Sequence, residues 1–165
     1  MPARAYAENL SAIDAAFLRV ESETALMHIG WSAVFSAAPD GRPPTVSGLR
    51  ARALARLHWM PRFRQRLAGS PVGPLGDARW VDDERFDIAE HILTPPGADE
   101  PLSAEAFGRL RDRVLSQPLD RGRPLWQVVL VPRLEDGGIG VVGRVHHAMA
   151  DGTAALLVAT LLLDR

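Results

Sequence analysis

Two runs rich in β-branched residues, Val128–Leu134 and Ile139–Val145, flank the tetrapeptide Glu135-Asp136-Gly137-Gly138. Tight reversals need positive φ, and Asp-Gly supplies it, so this stretch reads as an antiparallel hairpin. Pro132 has no N–H to give to a ladder and predicts an edge or a bulge in the first run. The second run leads straight into His146-His147-Ala148-Met149-Ala150-Asp151-Gly152, after which the apolar period turns helical through Leu163. Strand, polar turn and apolar helix in this order call for a sheet with helices packed on it. The expected fold class is therefore α/β (α+β), a lobe built on a mixed β-sheet.

The upstream half supplies further layers. Ser11 caps a helix with Ile13, Phe17 and Leu18 on one face and Asp14 near its positive end, predicted to stop near Glu23. From Met27 to Phe35 the residues Met27, Ile29, Trp31, Ala33 and Phe35 alternate with polar or small ones, the period of a strand. Met27, Trp31 and Phe35 read as core rather than as the lining of a pocket. Leu49, Ala53, Leu54 and Leu57 repeat at helical spacing until Pro61. A short strand is predicted over Phe86–Leu93, and Ser103 caps a helix carrying Phe107, Leu110 and Val114 that ends before Pro118. The loops are PDGRPP, from Pro39 to Pro44, and the Gly- and Pro-rich stretch from Gly69 to Gly76.

Composition narrows the chemistry. The chain has 165 residues, enough for one domain with a core of its own, and no cysteine, which excludes disulfides, thiolate metal sites and thiol nucleophiles. Its 19 basic residues are all arginine, so Schiff-base chemistry and a P-loop lysine are excluded too. A net charge of −1 removes any chain-wide attraction to nucleic acid. The first twenty residues carry charge where a secretory peptide needs an apolar run, and the apolar stretch Ala154–Leu163 is shorter than the ~20 residues that span a bilayer. The expected location is the cytoplasm, with peripheral attachment to a membrane or lipid body left open.

His146 and His147 sit where a strand runs out, and adjacent strand residues point to opposite faces, so one ring can face a cleft while the other packs inward. A neutral imidazole takes a proton from an alcohol or amine near pH 7, which makes His147 the candidate general base. Asp151 can hold the turn through backbone amides or an arginine, and Gly152 permits close backbone approach. The same residues are compatible with a structural turn. Metal binding is the third reading, but His28, His58 and His91 lie in other elements without ligand spacing to them, so none is expected.

The pattern HHxxxDG between a hairpin strand and an apolar helix resembles acyltransferases of the chloramphenicol acetyltransferase and condensation-domain superfamily. LSAIDAAFLRVE with MHIG (Leu10–Gly30), PLDRGRPLW (Pro118–Trp126) and HHAMADG together resemble the bacterial wax ester synthase/diacylglycerol acyltransferase family. The resemblance implies a chloramphenicol acetyltransferase-like lobe and acyl transfer from acyl-CoA, as co-substrate and without a cofactor, to a long-chain alcohol or diacylglycerol. His147 then matches the base, His146 a positioning residue, Asp151 a structural aspartate and Gly152 a glycine that leaves room for substrate. Pro124, Leu125 and Trp126 match a PLW motif, carried here as substrate-binding candidates with a structural look. Arg64, in WMPRFRQRL, matches the place where related condensation domains put an arginine that pairs with the aspartate.

Family members have two lobes, and residues 1–165 correspond to the N-terminal one, with the second lobe absent and an activity of the short chain left in question. An exposed apolar face is expected, with a homodimer, a chain carrying the second lobe, or lipid as its cover. Two other functions are kept beside the first: a non-catalytic lipid-binding or interaction module, and a condensation-type acyltransferase using a carrier-protein thioester. The segment Arg42–Arg66 holds seven arginines, Arg42, Arg50, Arg52, Arg56, Arg62, Arg64 and Arg66, without a carboxylate. A solvated helix face and an anchor for phosphates or anionic lipid both fit that run.

Overall fold

The structure, a computed structural model, describes residues 7–37, 41–69 and 78–149. The elements in order are β1 (Ala7–Asn9), α1 (Ala12–Val20), β2 (His28–Phe35), α2 (Val46–Arg56), β3 (Gln65–Ala68), β4 (Arg79–Asp82), β5 (Ile92–Leu93), α3 (Ala104–Leu115), β6 (Trp126–Val131) and β7 (Ile139–His146). They form a four-stranded sheet of order β2-β7-β6-β5 and a three-stranded one of order β1-β4-β3. The larger sheet is mixed, since β5 runs parallel to β6 while the other pairs are antiparallel.

The hairpin of the sequence is the centre of that sheet, with Trp126 opposite Val145 and Val131 opposite Gly140. Gly137 turns the chain at φ 83°. Both faces of the hairpin are covered, which is why its apolar runs are nearly continuous. Val128, Leu130, Val141 and Val145 pack with Leu18, Leu57, Phe63 and Trp80 on one face. On the other, Val129, Val131 and Val142 pack with Phe107 and Val114 of α3. Two β7 glycines admit large rings. A Cβ at Gly143 would lie 2.3 Å from Trp31, and one at Gly140 2.6 Å from Phe107.

The helix starts follow their caps. Ser11 and Asp14 form a reciprocal capping box, and the Ser103 hydroxyl accepts the Ala106 N–H. Helix α1 stops at Val20, short of Glu23, because Glu21 takes extended backbone at its end. The strand expected over Phe86–Leu93 is corrected to a 3₁₀ turn over Ile88–Glu90 and a two-residue strand, since Asp87 caps that turn through Ala89 N–H. Pro132 follows directly on β6, which ends at Val131, past the two residues, Val128 and Val129, that pair with β5. The strand β2 is an edge: Ile29 and Trp31 pack on the core, whereas Phe35 is exposed.

No helix among the described residues is long and apolar enough to cross a membrane. The apolar stretch Ala154–Leu163, and the exposed face expected of it, lie outside the described residues.

Candidate active site at the end of strand β7

The strand β7 delivers the histidine pair, and α1 with its end, the residue before β2 and the segment before β6 hold it. His146 N–H is bonded to Leu125 O at 2.9 Å, and His147 N–H to Met27 O at 2.9 Å. The two rings then part as strand alternation requires. His146 is buried, 1% exposed. His147 is half-buried and its ring stacks on Phe17, centroids 4.8 Å apart and planes at 18°.

The His146 ring is held in one tautomer. Its Nδ1 accepts the Ala148 N–H at 3.0 Å, so in the neutral ring the proton is on Nε2. That Nε2 lies 3.3 Å from Glu21 Oε1, off the line of a full hydrogen bond. Burial, above all, pushes the ring down to about pKa 4, with the Glu21 charge opposing. His146 is thus neutral at pH 7. The two rings therefore differ in access: His146 is buried and bonded to the backbone of its own turn, whereas His147 is half-buried.

Glu21 follows α1 and is itself well fixed. Arg121 donates to Glu21 Oε2 from Nη2 at 2.8 Å and Nε at 3.2 Å, and from Nη2 to Leu18 O at 2.8 Å. Met27 N–H reaches Glu21 Oε1 at 3.2 Å. Burial works against the carboxylate, but the Arg121 bond, the Met27 N–H and the nearby positive charge outweigh it and hold the carboxyl below its ordinary pKa. His28 faces His146 across the ladder and donates from Nε2 to Leu115 O at 3.0 Å. Burial keeps it below the ordinary imidazole pKa.

Pro124, Leu125 and Trp126 are buried in the core beside this turn. Trp126 Nε1 donates to Phe63 O at 2.8 Å, and its ring stacks on His91 at 4.6 Å. His91 Nδ1 in turn donates to Trp126 O at 2.9 Å, so the PLW segment ties the small sheet's approach to β6. Arg64 carries its guanidinium 5.4 Å from the Phe86 ring centroid. Asp151 and Gly152, and with them the expected Arg64–Asp151 pair, lie outside the described residues.

The chain matches the wax ester synthase/diacylglycerol acyltransferase catalytic domain over residues 10–165. It belongs to this family. A probable diacylglycerol O-acyltransferase of Mycobacterium tuberculosis, tgs3, is 34% identical over 165 residues, an alignment that covers 94% of this chain and 56% of that protein. A second from the same organism, tgs1, is 34% identical over 151 residues, covering 89% of this chain and 31% of that one. The wax ester synthase/diacylglycerol acyltransferase from Marinobacter aquaeolei superposes with a TM-score of 0.73 at 29% identity, over 93% of this chain and 36% of its own. The starter condensation domain of rhizomide synthetase shares the fold at a TM-score of 0.70 and 15% identity, over 96% of this chain and 37% of its own. The fold is therefore the expected lobe of the wax ester synthase and condensation-domain type, and the chain spans roughly a third to a half of these relatives.

What the sequence reading missed is the company the histidines keep. Glu21, Arg121, His28 and Phe17 all lie within the segments LSAIDAAFLRVE, MHIG and PLDRGRPLW, yet no role at the site was assigned to them. An acidic residue closing a helix and an arginine in a Gly- and Pro-rich loop carry no mutual spacing signal, being 100 residues apart. Three of the arginines from Arg42 to Arg66 make contacts within the fold. Arg50 bonds Ile92 O and Ala89 O, Arg62 pairs with Glu8 and covers Trp80, and Arg66 lies 3.9 Å from Asp83.

Proposed function

We propose that this chain carries the histidine lobe of an O-acyltransferase that moves a fatty acyl group from acyl-CoA to a long-chain alcohol or diacylglycerol. The observation that carries the reading is the division of labour in the pair: His146 buried and fixed, His147 half-buried at the strand end, in a chain that belongs to this family. His147 accepts the acceptor's hydroxyl proton as the oxygen attacks the thioester carbonyl. The tetrahedral intermediate then collapses, the C–S bond breaks, and the coenzyme A thiolate recovers the proton from the imidazolium. Asp151, paired with Arg64, holds the turn, and Gly152 leaves room for substrate.

The purified chain, alone and with liposomes, would be incubated with labelled acyl-CoA and hexadecanol or a diacylglycerol. Labelled ester that disappears in His147→Ala is the expected result. No ester with either acceptor, or equal ester from a folded His147→Ala protein, overturns the reading.

A further inference from the structure

We infer that Glu21, clamped by Arg121, is a positioning residue for His147, acting through both the buried ring of His146 and the backbone of Met27. The inference rests on the acyl-transfer reading only for its kinetic consequence. Its structural content stands on one carboxylate with two separate duties. Oε2 takes both donors of the Arg121 fork, which fixes the carboxylate plane. Oε1 accepts the Met27 N–H and faces His146 Nε2. Each of those two contacts ends at the base. Met27 O receives the His147 N–H, and His146 is its chain neighbour, locked by the Ala148 N–H.

The network can be read as an order of dependence. Arg121 is tied down independently by Leu18 O, at the last turn of α1. The arginine therefore relays the position of α1, which also carries Phe17, the ring that stacks on His147. Helix α1 thus sets the base twice, once through its stacked ring and once through the carboxylate at its end. Among the described residues, the charged and titratable groups around His146 are Glu21, Arg121, His147 and, across the ladder, His28, with Arg144 beside His28 on the α3 side. Among these, Glu21 bears the only negative charge. A neutral glutamine cannot replace it: the arginine fork, the Met27 N–H and the Nε2 proton are all donors, and one end of an amide is itself a donor.

The test uses the purified 165-residue chain with ¹⁵N-labelled histidine, comparing wild type, Glu21→Gln and Arg121→Lys, which keeps the charge but loses the fork. In wild type the His146 ring shifts report a neutral Nε2–H tautomer from pH 5 to 8, and His147 protons carry a ring-current shift from Phe17. In both variants the His146 tautomer pattern changes and the Phe17-induced shift shrinks. With acyl-CoA and hexadecanol, kcat falls about 10–100-fold and KM holds, the signature of a displaced catalytic group. Unchanged histidine signals in a folded variant overturn the inference, as does a wild-type kcat in an active chain. Loss of fold in both variants makes the network purely structural and overturns it too. A wild-type chain without any acyl transfer sinks the acyl-transfer reading instead, and the histidine signals then decide the positioning on their own.

Discussion

Glu21 Oε1 and His146 Nε2 lie 3.3 Å apart, with both side chains nearly excluded from solvent, at 7% and 1% exposure. The first closes helix α1 and the second ends strand β7, so this contact joins the helix that carries Phe17 to the strand that carries His147.

Burial lowers the pKa of His146 to about 4 and also lowers those of His28 and His91 below the ordinary 6.5. In the unfolded chain these rings protonate near 6.5, so between about 6.5 and 4 the unfolded state binds more protons. Stability is then fully present above pH 6.5 and falls as pH drops through that window. The Glu21 carboxyl, held below 4.5, adds a loss of the same sign at still lower pH. Urea midpoints measured at pH 7.5, 6.0, 5.0 and 4.5 should decrease steadily; a flat series would show that the histidines are not buried neutral.

His147→Ala should lower turnover by about 10²–10⁴, the usual contribution of general-base catalysis, with an unchanged urea midpoint. His146→Ala should act differently, removing a buried ring and stranding the Ala148 N–H, at a cost of about 1–3 kcal/mol in stability. Turnover and denaturation curves of the two variants separate these effects. Reversed outcomes would exchange the two roles.

Trp126→Phe keeps most of the stacking area on His91 but leaves the Phe63 carbonyl without its donor. A buried acceptor stranded in this way costs about 1–3 kcal/mol. The urea midpoint should drop accordingly, and a wild-type midpoint would mean that water or a neighbour takes over the bond.

Gly143→Ala forces a methyl group to within 2.3 Å of the Trp31 ring. The indole must move off β7, at the roughly 1–3 kcal/mol typical of overpacking. Trp31 fluorescence, read in a variant whose other tryptophans are replaced, should change together with the midpoint. Neither changing would mean that the β2–β7 pairing gives way at no cost.

The sequence by itself determined the hairpin, its glycine turn, the helix caps at Ser11 and Ser103, and the strand-to-turn position of His146 and His147. These are local properties: period, turn chemistry and capping act over two to four residues and need no distant partner. The family followed from the same segments, because their motifs stand in order along the chain. The small sheet β1-β4-β3 escaped that reading, since strands of three or four residues bear too few alternations to register. The stretch Phe86–Leu93 misled it because Phe86, Ile88 and Ile92 meet the core in a turn as well as they would in a strand. Only the tertiary structure decided which histidine is buried, that Glu21 and Arg121 meet across 100 residues, and that Phe17 lies under His147. Such choices depend on how α1 packs against the end of β7, and that geometry exists only when the whole core has assembled.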